Sequence, residues 1–135
     1  MGRIEGVLET VLYADDLSAT GRFYADVLGL EGVPGDGALL TAFRVGPGSV
    51  LLLFDPAESE TADRSVPSHG ARGPGHVAFR INEAGYDAWL GRFAEHGVTI
   101  EQEHVWEDGY RSIYVRDPVG NSVEMITGDI WRRPR

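Results

Sequence analysis

The 135-residue chain contains no cysteine and no lysine. Without cysteine there are no disulfides, no thiolate nucleophile and no Cys-ligated zinc or iron–sulfur centre. Without lysine there is no Schiff-base chemistry and no phosphate-loop lysine, and all 12 basic residues are arginine. Long apolar runs are missing as well. The longest, Val50 to Phe54, falls far short of the roughly 20 residues that span a bilayer. The N-terminal "MGRIEGVLET" has no apolar h-region, and Gly6 stands where a myristoylation signal has Ser or Thr. A cytoplasmic protein with no membrane partner is expected. The formal charge of −9 argues against a nucleic-acid partner and suits a cationic small molecule, although many acidic proteins carry such a charge for solubility alone.

What is present has the composition of a globular domain, 42% hydrophobic and 24% charged, in the length of one domain. Chemistry must come from four histidines (His69, His76, His96, His104) and 21 carboxylates.

The chain reads as one pattern written twice. "VLETVLYADD" alternates as a strand does and ends on Asp15-Asp16, good helix N-caps. "LSATGRFYADVLGL" follows with Leu17, Phe23, Tyr24, Val27 and Leu28 roughly on one helical face, and Gly29 as its cap. Strand candidates come next near 30–33, 38–45 and 49–54. The second half repeats the order: "HVAFRI" as a strand, "NEAGYDAWLGRFAEH" as a helix and Gly97 as its cap. Strand candidates then lie near 98–102, 110–116 and 122–127, the last two joined by the turn "DPVGN". Glu9 to Gly29 is 20 positions and His76 to Gly97 is 21. The expectation is an α+β fold of two tandem βαβββ modules forming an open, cup-shaped eight-stranded sheet. Module one covers about 5–55, a Pro-, Ser- and Gly-rich linker about 56–72, and module two about 73–129.

Alternation assigns faces. Val77, Phe79 and Ile81 point to the helix, whereas His76, Ala78 and Arg80 point away. Glu124 points away from the Val123 and Met125 face, and Glu9 away from Leu8 and Leu12. In the repeat Glu9 matches His76. Aligning "SVLLLF" with "SVEMIT" matches Leu51 with Glu124.

The stretches "VLYADDLSATGRFYADVLGL", "GPGHVAFRI" and "RSIYVRDPVGNSVEMI", together with the paired βαβββ order over residues 5–128, resemble the vicinal oxygen chelate superfamily. That superfamily includes glyoxalase I, extradiol dioxygenases and bleomycin-resistance proteins. The resemblance implies a homodimer and a divalent metal held by Glu9, His76 and Glu124. A glyoxalase I site has a fourth ligand where Leu51 stands, and extradiol and fosfomycin-modifying enzymes use two histidines and one glutamate, which Glu9 breaks. One imidazole and two carboxylates suit zinc, nickel, manganese, iron or cobalt and leave coordination positions open.

Two function classes follow. One is a metal-dependent isomerase, lyase or oxygenase acting on a small oxygen-chelating substrate, with Glu124 or Glu9 moving a proton. The alternative is a bleomycin-resistance-like protein that sequesters a small molecule without catalysis. Leu51 in place of a ligand leads to the expectation of an apolar substrate wall and little glutathione-dependent glyoxalase activity. Candidate substrate contacts are Leu51, His69 on the linker, and Trp106, Tyr110 and Arg111 ahead of the last hairpin; the plainer reading of the last three is hairpin packing. His96 reads as a charge at a helix C-terminus, and Asp117 and Asn121 as turn formers.

Overall fold

The computed structural model describes residues 2–35 and 37–132. The chain divides into two compact units, residues 1–73 and 74–135. Each unit is a βαβββ module.

In the first, β1 (Glu9–Tyr13) leads to Asp16, whose side chain accepts from the Ala19 amide and opens α1 (Leu17–Arg22). The helix widens into a π turn at Phe23–Val27 and ends at Gly29, whose φ of 71° a side chain would strain. Strands β2 (Gly32–Val33), β3 (Leu40–Val45) and β4 (Ser49–Phe54) follow, then a one-turn helix α2 (Pro56–Ser59). The sheet order is β1-β4-β3-β2, with β1 and β4 parallel.

The second unit has β5 (His76–Arg80), a 3-10 turn (Glu83–Gly85) capped by Asn82, and α3 (Tyr86–Glu95). It continues through β6 (Gln102–Val105), β7 (Arg111–Arg116) and β8 (Ser122–Ile126) in the order β5-β8-β7-β6. Again the first and last strands run parallel. The expected β strand near 98–102 starts later, at Gln102. Val98 and Gly97 instead close the end of α3, their amides bonding Phe93 O (2.8 Å) and Ala94 O (3.1 Å). Among the described residues no helix is long and apolar enough to cross a membrane.

Each sheet keeps one face under its own helix. Gly21 of α1 lies against Thr41, and the Tyr24 ring stands 6.0 Å from Phe43. Ladder partners share a face, so Thr41, Phe43, Leu51 and Leu53 form the covered side. Leu51 and Leu53 are fully buried there, each such side chain stabilising by about 1.5–3 kcal/mol. In the second unit Tyr86 and Phe93 of α3, with Ile113, Val115, Val123 and Met125, make the matching core. The opposite, helix-free faces carry Glu9, Leu52 and Phe54 in one unit and His76, Glu124 and Ile126 in the other.

The ladders correct one register expectation. Val50 pairs with Glu9, and Ser122 pairs with His76. Counting on from these pairs, Glu124 corresponds to Leu52, and Leu51 corresponds to Val123. Leu51 is 1% exposed on the helix-covered side and is therefore no substrate wall. The matching letters "SV" hid a one-residue offset, and in a strand one residue changes the face.

Candidate functional site

The hairpin turn that joins β7 to β8 also sets the start of β5. The Asp117 carboxylate, 4% exposed, accepts from the Val119 and Asn121 amides and from Asn121 Nδ2 at 2.9 Å. Asn121 Oδ1 in turn accepts from the Gly75 amide at 2.7 Å. Asp117 and Asn121 are turn formers, as expected, and they also fix the residue before His76.

His76 leaves this clamp on the helix-free face. Its Nδ1 lies 3.1 Å from the Ser122 carbonyl oxygen. A carbonyl can only accept, so Nδ1 carries a proton and the ring turns its Nε2 outward. That nitrogen faces Glu124 Oε1 at 3.3 Å.

Glu124 itself is 6% exposed and held from the other side. Ser112 Oγ donates to its Oε2 at 2.6 Å, and Trp106 Nε1 donates to Ser112 Oγ at 2.8 Å. Tyr114, the ladder partner of Glu124, also bonds it. Burial, then the Glu124 charge, raises the Tyr114 pKa, so this phenol stays protonated as a donor to the carboxylate. Each such donor to a buried carboxylate is worth about 1.5–3 kcal/mol.

Nε2 and a carboxylate oxygen thus point at each other across 3.3 Å. They repel unless a cation lies between them, either a proton on Nε2 or a metal ion. A carboxylate and a neutral imidazole whose other nitrogen is tied to a carbonyl are the donors a divalent first-row metal takes. The pair fits such an ion. Among the described residues no group of three or more His, Asp and Glu side chains gathers as a metal site.

Glu9 begins β1, exposed and on the helix-free face of the other unit, at the register position of His76. His69, exposed on the segment after α2, has its Nδ1 2.7 Å from Tyr13 Oη and its ring 4.7 Å from that of Phe54. Its amide bonds Ser59 O at 3.0 Å. It therefore straps the linker across the helix-free face of its own unit.

The three rim candidates separate. Trp106 lies beside the pair, lining a groove of about 590 Å³ with His76, Ala78, Arg80, Glu124 and Ile126. Tyr110 belongs to hairpin packing, its ring flat against Gly128 and its carbonyl accepting from the Trp106 amide. Arg111 is corrected: it stacks 3.8 Å over the Tyr86 ring and pairs with Glu83, on the helix-covered face. One residue from Ser112, it has the opposite parity. Burial, then a bond to Glu103, pushes the Tyr86 hydroxyl up to about 12. His96 caps α3, its amide on Arg92 O. A larger hollow of about 740 Å³ runs along α3 past Trp89 and Arg92 and gathers no comparable chemistry.

Ser112 and Tyr114 were not anticipated as site residues. Counting outward from "DPVGN" places Tyr114 opposite Glu124, so the hairpin contained that signal.

The chain and its fold match known proteins. The model of the glyoxalase/bleomycin resistance protein/dioxygenase superfamily matches residues 6–125, and the chain belongs to that superfamily. A lactoylglutathione lyase from Agrobacterium tumefaciens is 44% identical, with a TM-score of 0.90 over 98% of this chain and 100% of that one. The oxidase ChaP-H2 is 30% identical, with a TM-score of 0.69 over 92% and 94%. A glyoxalase/dioxygenase from Nostoc punctiforme, at 24% identity and a TM-score of 0.68 over 90% of each chain, shares the fold.

Proposed function

We propose that the protein is a metal-dependent enzyme of the glyoxalase type, an isomerase, lyase or oxygenase for a small molecule with two adjacent oxygens. The observation that carries this reading is the facing of His76 Nε2 and Glu124 Oε1 at 3.3 Å, with both side chains anchored from behind. His76 and Glu124 hold the ion. Glu9 is assigned as third ligand through its register equivalence to His76 alone, and is tested separately. A divalent ion there supplies Lewis-acid polarisation of substrate oxygens.

The chain's own groups do the rest. The Ser122 carbonyl fixes the imidazole tautomer, and Ser112 and Tyr114 fix the carboxylate. Glu124 or Glu9 moves a proton, and the donors on Glu124 hold it in place as a ligand. Identity to a lactoylglutathione lyase supports the glyoxalase class. Leu52, at the position corresponding to Glu124, supplies no fourth ligand, and we infer weak turnover of the methylglyoxal–glutathione hemithioacetal. Robust turnover by metal-loaded protein contradicts that inference.

Calorimetric titration of metal-free protein with zinc, nickel, manganese, iron and cobalt tests the assignment. Glu124→Gln and Glu9→Gln are expected to weaken binding strongly, and His96→Gln to leave it unchanged. Equal losses in all three overturn the ligand set. Ligand binding undiminished by metal removal, with no turnover, favours a sequestering protein instead. We also propose a homodimer, since β1 and β5 each leave one strand edge unpaired in their sheets. A monomer in sedimentation at micromolar concentration contradicts it.

A further inference from the structure

The groove beside His76 and Glu124 carries a cation and two indoles that the proposed reaction does not use. Arg80 stands four residues beyond His76 on β5, on the same face, roughly 13 Å away along the strand. It makes no ion pair among the described residues. Arg116, also on this face, is occupied: its Nε and Nη2 hold the Glu101 carboxylate at 2.7 and 3.1 Å. Asp129, which also lines the groove, accepts from the Trp131 amide and forms no ion pair with Arg80. In a chain of net charge −9, Arg80 is thus a cation without an ion-pair partner among the described residues, in a groove that Glu124 and Asp129 also line.

The two indoles differ in how they are held. Trp106 is fixed by its bond to Ser112 and by edge contact with His104, centroids 4.5 Å apart. Trp131 is 86% exposed, but its segment is anchored. Gly128 packs so close to the Tyr110 ring that any side chain there would overlap it, and the Arg132 guanidinium lies 5.8 Å from the same ring. A water-exposed tryptophan on an anchored segment, at the rim of a groove whose guanidinium has no ion-pair partner among the described residues, suits a flat anionic body.

We propose that Arg80, Trp106 and Trp131 receive the distal end of the substrate, and that this end is an aromatic ring bearing a carboxylate. The inference rests on the reading that the adjacent oxygens sit at His76 and Glu124, with the ring against Trp106 and under Trp131. Arg80 and Trp131 are specificity-determining groups, remote from the reacting atoms.

Calorimetry on the full chain with three probes tests this. 4-Carboxymandelate has hydroxy-acid oxygens, a ring and a distal carboxylate; mandelate lacks the distal carboxylate; 2-hydroxyadipate lacks the ring. 4-Carboxymandelate should bind about tenfold more tightly than either. Arg80→Gln should erase its advantage over mandelate while leaving mandelate within about twofold. Trp131→Ala should weaken both aromatic probes and spare 2-hydroxyadipate. Equal affinity for all three probes, or equal losses of all three in Arg80→Gln, overturns the proposal. Repeating the set after chelation and in Glu124→Gln separates the two readings. A failure of the metal assignment leaves all three affinities unmoved by either treatment, whereas a failure at Arg80 removes only the difference between probes.

Discussion

The two helix-free faces have one backbone register and different contents. Where the second unit carries His76, Glu124, Arg80 and Ile126, the first carries Glu9, Leu52, Tyr13 and Phe54. In the first unit His69 folds over Tyr13 and Phe54, and Arg64 lies 5.7 Å from the Phe54 ring, so its own linker fills that end of the face. In the second unit the corresponding end is the groove floored by Arg80 and Ile126. The ladder sets where a side chain can stand, and the residue and the segment above it decide whether the place is chemistry or packing.

That comparison breaks most sharply at Glu124. Glu124→Gln should cost about a hundredfold or more in divalent-metal affinity by calorimetry, because the amide presents no anionic oxygen to an ion beside His76. Ser112→Ala should cost about tenfold, since the carboxylate keeps its charge and loses an orienting donor. Equal effects of the two substitutions would dissolve the distinction between ligand and anchor.

On the covered face the effects are of stability. Tyr86 is buried, its hydroxyl donating to Glu103 at 2.7 Å, with a pKa raised from 10.0 to about 12. A raised pKa means the folded state favours the protonated phenol. This contribution is full below about pH 10 and is lost as pH climbs towards 12, when the unfolded chain ionises first. Tyr86→Phe should flatten that part of the stability–pH curve measured by urea unfolding, and cost about 1 kcal/mol at pH 7. An unchanged slope contradicts the burial argument. The smallest effect is expected at His69, where His69→Ala removes one exposed bond to Tyr13. It should lower stability by about 0.5–1 kcal/mol and leave metal affinity unchanged.

Much of this was legible from alternation and turns. "GPGHVAFR" and "DPVGNSVE" place His76 and Glu124 on the helix-free side, and the ladder between β5 and β8 agrees. The failures are of parity and of competition for backbone groups. Leu51 and Leu52 are equally apolar, and only the ladder, which begins at Val50 opposite Glu9, says which faces the helix. Arg111 looked like an anion contact by type, yet it lies one residue out of phase with Ser112. Val98 and Ile100 alternate as a strand would, but the Val98 amide is spent on closing α3. The strap at His69 had no periodic signal, since it depends on a single histidine meeting Tyr13 and Phe54 from a distance in sequence.

The central claim is that His76 offers Nε2 to a cation beside Glu124, and nitrogen-15 NMR of the histidine rings measures it most directly. The account predicts a His76 ring with a proton on Nδ1, whose Nε2 resonance moves most when one equivalent of zinc is added, and does not move in Glu124→Gln. A His76 ring with its proton on Nε2 and none on Nδ1, or a zinc response at His69, His96 or His104 with His76 unmoved, would contradict it.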